Sequence, residues 1–192
     1  MAAAQKIELP ALQIEQITLM LIGDSPLIVH AWSEKAKRQM LDKQMKKASK
    51  GREAKDPEAD YEACFYRTDT GAYGFPAIGV KAAMVSAARY VDAKMTVLRG
   101  AFHIDVEMLT VIGEPRPRED MVRVGLGTAD IRYRPEFPEW RIPVTIKYNA
   151  SAISPEQIAN LLNVAGFGVG IGEWRPERNG SYGRFHVGSA DE

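Results

Sequence analysis

The chain has 192 residues, 45% hydrophobic and 26% charged, which excludes wholesale disorder and suits one domain with insertions better than two full domains. Its 25 basic and 25 acidic side chains cancel, so a uniformly basic nucleic-acid binder is disfavoured while local patches remain open. Cys64 is the single cysteine, which excludes a disulfide framework and any cysteine-based zinc site.

In chain order, the alternation and apolar run over 14–22 predict a buried strand, broken by Gly23-Asp24-Ser25-Pro26 and continued briefly over 27–30. Ser33 is placed to cap a helix over 34–49 with Ala36, Met40, Leu41 and Ala48 on one side and lysines on the other. Between 33 and 55 stand nine basic residues, including Lys35, Arg38, Lys46, Lys50, Arg52 and Lys55, against Glu34, Asp42 and Glu53. The polar stretch 51–60 reads as a loop and 61–67 as a strand. Val80, Ala83, Met84, Ala87, Ala88 and Val91 give helical spacing over 79–95, and 102–112 reads as the next strand. Six arginines, six acids and four prolines between 113 and 141 suit a projecting hairpin with short strands over 121–124 and 128–133. The span 140–148 alternates as a strand, and Ser154-Pro155-Glu156-Gln157 opens a helix carrying Ile158, Leu161, Leu162 and Ala165. A last strand is expected over 184–187.

Seven of the sixteen glycines lie between Gly166 and Gly188. This segment follows a helix and precedes a strand and contains no lysine, so neither a P-loop nor a dinucleotide fingerprint fits it. Its Arg175, Arg178 and Arg184 offer planar donors to phosphate, and Trp174 and Tyr182 offer faces to bases. A tight structural connection explains the glycines equally well. The lysine helix likewise reads either as a solvated face or as a surface that follows phosphates. Of the three histidines, His30 follows a strand end and suits a general acid or base, or a structural or binding role. His103 and His186 fit ordinary packing in strands. No metal-ligand spacing or nucleophile elbow occurs, so no metal or cofactor is expected. No apolar run reaches the ~18 residues of a membrane span, and the first ten residues lack a signal-peptide pattern. The expected setting is therefore a reducing cytoplasm.

Three pieces in this order resemble the RAMP superfamily, the CRISPR-associated proteins built on a ferredoxin-like (RRM-like) fold. They are Ser25-Pro26-Leu27-Ile28 after the first strand, Phe75-Pro76-Ala77-Ile78-Gly79-Val80-Lys81 at the entry to the first core helix, and Gly170-Ile171-Gly172 through Gly180-Ser181-Tyr182-Gly183-Arg184-Phe185. The resemblance implies an α+β, βαββαβ core in a single domain over 1–192. Residues 33–67 become a basic helix–strand insertion, 113–139 a projecting hairpin insertion, and the C-terminal glycine-rich loop leads into the last strand.

The resemblance further implies a non-enzymatic protein that binds single-stranded RNA or DNA and assembles with copies of itself. Arg175, Arg178, Arg184, Lys81, Lys35, Arg38 and Lys46 would hold phosphates, and Trp174 and Tyr182 would stack on bases or lock the loop. Two alternatives stand beside it: a metal-independent endoribonuclease using His30, and a protein-interaction module that mimics or blocks a host defence complex; other effector or phage proteins are further possible partners. The chain also resembles small bacteriophage proteins, which would place it in a bacterial host cell.

Overall fold

The computed structural model describes residues 11–47, 56–124 and 128–188. In chain order these form β1 (Ile14–Gly23), β2 (Leu27–Ile28), α1 (Glu34–Gln44), α2 (Pro57–Glu62), β3 (Tyr66–Arg67), β4 (Tyr73–Pro76), α3 (Ala77–Ala87), α4 (Met95–Ala101), β5 (Phe102–His103), β6 (Met108–Thr110), β7 (Arg116–Val124), β8 (Thr128–Phe137), β9 (Arg141–Asn149), α5 (Pro155–Gly168) and β10 (Phe185–Gly188).

The main sheet has the order β10-β1-β9-β5, with every neighbouring pair antiparallel. Strict alternation builds it. Ile142, Val144 and Ile146 on β9 are buried and lie opposite Leu21, Leu19 and Ile17 on β1. The other face pairs Thr18 with Thr145 and Gln16 with Lys147. Val80, Ala83, Met84 and Ala87 of α3 and Ile158, Leu161, Leu162 and Ala165 of α5 join the inner row in one apolar core. Alanines on α3 allow the two helices to pack together. The capping box at Ser154 and Gln157, with Pro155 at the first position, fixes where α5 begins.

Two smaller sheets flank this core. One has the order β2-β8-β7, in which β7 and β8 form the hairpin; the other has the order β3-β4-β6. The hairpin is longer than the sequence predicts, pairing from Arg116 with Glu136 out to Val124 with Thr128. Pro117 is tolerated because β7 lies at the sheet edge, where one row of donors is unneeded.

Several elements differ from the sequence-based expectation. The helix expected over 79–95 starts at Ala77, gives way at Ala88 to a 3-10 turn, and resumes only as α4 at Met95. After Ala88 every residue to Lys94 is exposed, so no apolar face remains to hold a helix against the core. The strand expected over 102–112 is two strands in different sheets, β5 on β9 and β6 on β4. Residues 57–62, expected to divide between a loop and a strand, form α2, because Asp56 caps Ala59 N–H and Pro57 occupies the first position. The first basic helix ends at Gln44 and buries none of its residues, so Met40 and Leu41 stand exposed. Lys50, Arg52, Lys55 and the first half of the expected 51–60 loop, residues 51–55, lie outside the described residues. Among the described residues no helix is long and apolar enough to cross a membrane.

The glycine-rich segment between α5 and β10 is held by its own backbone and by β2. Ile171 N–H donates to Gly183 C=O at 2.9 Å, Glu173 N–H to Ile28 C=O at 2.9 Å, and Gly183 N–H to Pro26 C=O at 2.8 Å. Gly183 has φ +63°, and a Cβ there would overlap the Ile171 carbonyl. Gly172 has φ +76°, and a Cβ there would press on the Ile28 carbonyl. These glycines therefore serve close backbone packing, while the side chains between them remain available for other roles. Gly183→Ala is expected to cost about 2 kcal/mol or more, from backbone strain and the carbonyl overlap together. Urea denaturation of the variant beside the parent chain measures it.

Candidate functional site: the groove beneath the glycine-rich loop

The hairpin carries a row of charges on one face, and this row fixes the loop. Arg134, 2% exposed, donates from Nη2 to Asp120 Oδ2 at 2.7 Å and from Nη1 to Glu173 Oε2 at 3.3 Å. Arg118 Nε donates to Asp120 Oδ1 at 2.9 Å, and its Nη1 reaches Glu136 Oε1 and the Tyr182 hydroxyl, both at 3.2 Å. Arg116 Nε completes Glu136 at 2.9 Å. The Trp174 ring lies 5.2 Å from the Arg118 guanidinium and 5.0 Å from that of Arg134. Trp174 and Tyr182 meet edge to face at 6.0 Å. Of the two roles the sequence allows these aromatics, this geometry supports locking the loop, since both rings are occupied by cations of the same chain. Removing a partner from such a buried pair strands a charge in a low-dielectric site. Asp120→Ala is expected to lose about 3–5 kcal/mol, read by chemical denaturation.

A groove of about 320 Å³ opens between this loop, the start of α3 and the end of β2. Its walls come from Val29, His30 and Tyr66, from one side of the stretch between Phe75 and Ser86, and from Val169 to Glu173 with Arg175 and Glu177. Of the three pieces singled out in the sequence, the second and the Gly170-Gly172 end of the third thus line one cavity, and Val29 and His30, which directly follow the first, complete it. Much of the wall is apolar, and the charged groups on it are largely paired. Arg175 donates from Nη2 to Glu177 Oε2 at 3.0 Å and from Nη1 to the Gly172 carbonyl at 3.2 Å. Tyr66 hydroxyl donates to the His30 carbonyl at 3.2 Å.

Burial lowers the pKa of His30, the Glu173 charge opposes that effect, and Arg132 and Arg134 reinforce it. Burial also raises the pKa of Tyr66, with the Glu173 charge adding to it. Among the described residues no group of three His, Cys, Asp or Glu is placed to hold a metal ion.

The residues expected to contact nucleic acid are dispersed. Arg175 lines the groove, and Arg178 is exposed beside the groove-lining Glu177. Arg184 donates to the Ser181 carbonyl at 3.4 Å. Lys81 lies on another side of α3, 3.2 Å from His103 Nδ1 and 5.9 Å from the Phe102 ring centre. Lys35 and Arg38 are exposed on α1, and Lys46 is exposed just past it; none of the three lines the groove. His186 pairs with Asp24 at 2.6 Å on the main sheet. Sequence reasoning missed Glu173 and Tyr66 because it sought cations and free aromatics; a carboxylate directly after Gly172 was the available signal.

His30 also gives a pH dependence with a definite sign. Its folded pKa lies below the ordinary value of 6.5, so the folded chain binds fewer protons there than the unfolded one. Its contribution to stability is full above that ordinary value and is lost as pH falls through the folded pKa. The melting temperature is expected to fall on acidification from pH about 6.5, and His30→Gln to flatten that fall in a melting series across pH.

No family model matches the sequence, and no curated protein matches it. Among solved structures the chain is similar to the crystal structure of Cmr6 from Pyrococcus furiosus. The two are 12% identical, and the match covers 93% of this chain and 100% of that one with a TM-score of 0.49.

Proposed function

We propose that the protein is a RAMP-like, non-enzymatic subunit that binds single-stranded nucleic acid and assembles with copies of itself or with other effector proteins. The observation that carries this reading is the convergence of Val29–His30, Phe75–Ala83 and Val169–Glu177 on one groove. These segments overlap or directly follow the three pieces that resemble the family. The strand order β10-β1-β9-β5, with α3 and α5 on one face, is the order that a βαββαβ ferredoxin-like core requires and supports the same reading.

The open face of the main sheet argues for the groove as the contact surface. Gln16, Thr18, Thr145 and Lys147 occupy it, with no Phe, Tyr or Trp on the outward row of β1 or β9 to stack on bases as an RRM platform does. Phosphates then fall to cations outside the groove: the exposed Arg178, the half-buried Arg184 and the exposed Lys35, Arg38 and Lys46 side of the basic helix. For self-assembly, that basic helix is complemented by the acids around α2, Asp56, Glu58 and Glu62.

Fluorescence anisotropy with a labelled U-rich strand across a salt series tests the reading. Affinity is expected to fall steeply with salt, and Arg178→Ala with Arg184→Ala to flatten the log–log slope by about 0.7 for each phosphate no longer neutralised. Absence of binding to RNA and DNA strands at low salt overturns it. Cleavage of the strand in chelator, abolished in His30→Ala, would replace it with the ribonuclease reading.

A further inference from the structure

We infer that the groove holds one nucleobase of the bound strand and that Glu173 selects guanine there. The inference rests on the single-strand reading above and adds what the groove recognises. It follows from which polar groups on the wall are already satisfied. The Arg175 guanidinium is held by Glu177 and the Gly172 carbonyl. Glu177 accepts from Arg175 on Oε2 and faces Arg89 at 3.7 Å on Oε1. The Tyr66 hydroxyl is donated to the His30 carbonyl. Glu173 differs: Oε2 takes Arg134 at 3.3 Å, and among the described residues Oε1 has no partner. It remains 42% exposed on the groove wall. The other open side-chain groups are the Ser86 hydroxyl and the His30 imidazole, which burial favours in its neutral form.

The groove therefore offers acceptors and no uncommitted cation. A phosphate placed in it would face the Glu173 carboxylate with no uncommitted cation to pair it. A nucleobase brings donors of its own and an apolar plane for the walls. Ile78, Gly79 and Ala82 line the α3 side, and a cavity of about 320 Å³ lies in the range that holds a small planar ligand. Guanine presents N1–H and the 2-amino group side by side, a pair of donors that a carboxylate accepts with both oxygens. Each Glu173 oxygen has lone pairs enough to keep Arg134 as well. Adenine and cytosine set one amino donor beside an acceptor, and uracil sets N3–H between two carbonyls, so each turns an acceptor toward the carboxylate.

The test measures anisotropy for three short RNAs: uridines only, the same strand with one central guanosine, and the same strand with inosine in its place. The guanosine strand is expected to bind about tenfold tighter than the uridine strand. Inosine keeps N1–H but lacks the 2-amino group and should forfeit most of that gain. Glu173→Gln is expected to bring the guanosine strand down to the uridine strand. Because Glu173 also braces Arg134, a second variant is needed: Ala82→Leu, at an exposed position of α3, fills the groove without touching a charge and should abolish the preference too. Equal affinity of the parent chain for all three strands overturns the inference and leaves the strand-binding reading standing. Binding of no strand overturns both, and a guanosine preference kept by both variants removes it from this groove.

Discussion

Arg134 reaches from β8 across the hairpin to Asp120 at 2.7 Å and onward to Glu173 at 3.3 Å. The second contact fastens the glycine-rich loop to the second sheet. A guanidinium buried this deeply is tolerable only where carboxylates meet it, so the pairing constrains the hairpin and the loop together. Trp174 shows how strong that constraint is. It is held at φ +52°, a conformation a large side chain rarely adopts, with its ring 5.2 and 5.0 Å from two neighbouring guanidinium groups. With Trp174 and Tyr182 clamped to the hairpin, Glu173 has little freedom beside His30, and the groove keeps its shape.

The groove is a consequence of chain topology as much as of this clamp. β1 pairs with β10 and turns through Asp24-Ser25-Pro26 into β2, so the segment that ends in His30 runs beside the loop entering β10. Asp24 N–H donates to the Arg184 carbonyl at 2.8 Å, and Arg184 N–H donates to Ser25 Oγ at 2.9 Å. Trp140 closes the same corner, donating to the Ser25 carbonyl at 2.8 Å. α3 begins directly after β4, so its first turn is carried to the opposite wall. Positions far apart in sequence are thus joined through a few short hydrogen bonds around Ser25.

Elements whose local signals agree with the tertiary packing are legible in the sequence. β9 alternates because one of its faces is buried, and the start of α5 is written in Ser154, Pro155 and Gln157. The failures share a physical cause. The residues from Phe102 to Ile112 look like one strand because the chain stays extended while it changes sheets, and nothing local marks the crossing at 105–107. The helix over 79–95 looks continuous because Val91 sits at the right spacing, yet Val91 is 38% exposed and finds no core. The hairpin is visible from its prolines and charges. Its charged face is not, because Arg116, Arg118, Asp120, Arg134 and Glu136 read one by one as solvated side chains, although Asp120, Arg134 and Glu136 are buried. Only their cross-strand arrangement turns them into a network, and that arrangement depends on register.

The same network gives the zero net charge its meaning. Arg116, Arg118, Arg134 and Arg175 each bond to a carboxylate of the same chain, so much of the arginine around the groove is spent on internal structure. The cations outside this network include Arg178 and the exposed basic side chains of α1. Under the proposed function, attraction of a polyanion and recognition within the groove would therefore belong to different parts of the molecule. The long-range part is screened by salt and indifferent to sequence. The groove would act at contact distance through a carboxylate whose position is set by a buried arginine, where hydrogen-bond geometry rather than net charge would decide what fits.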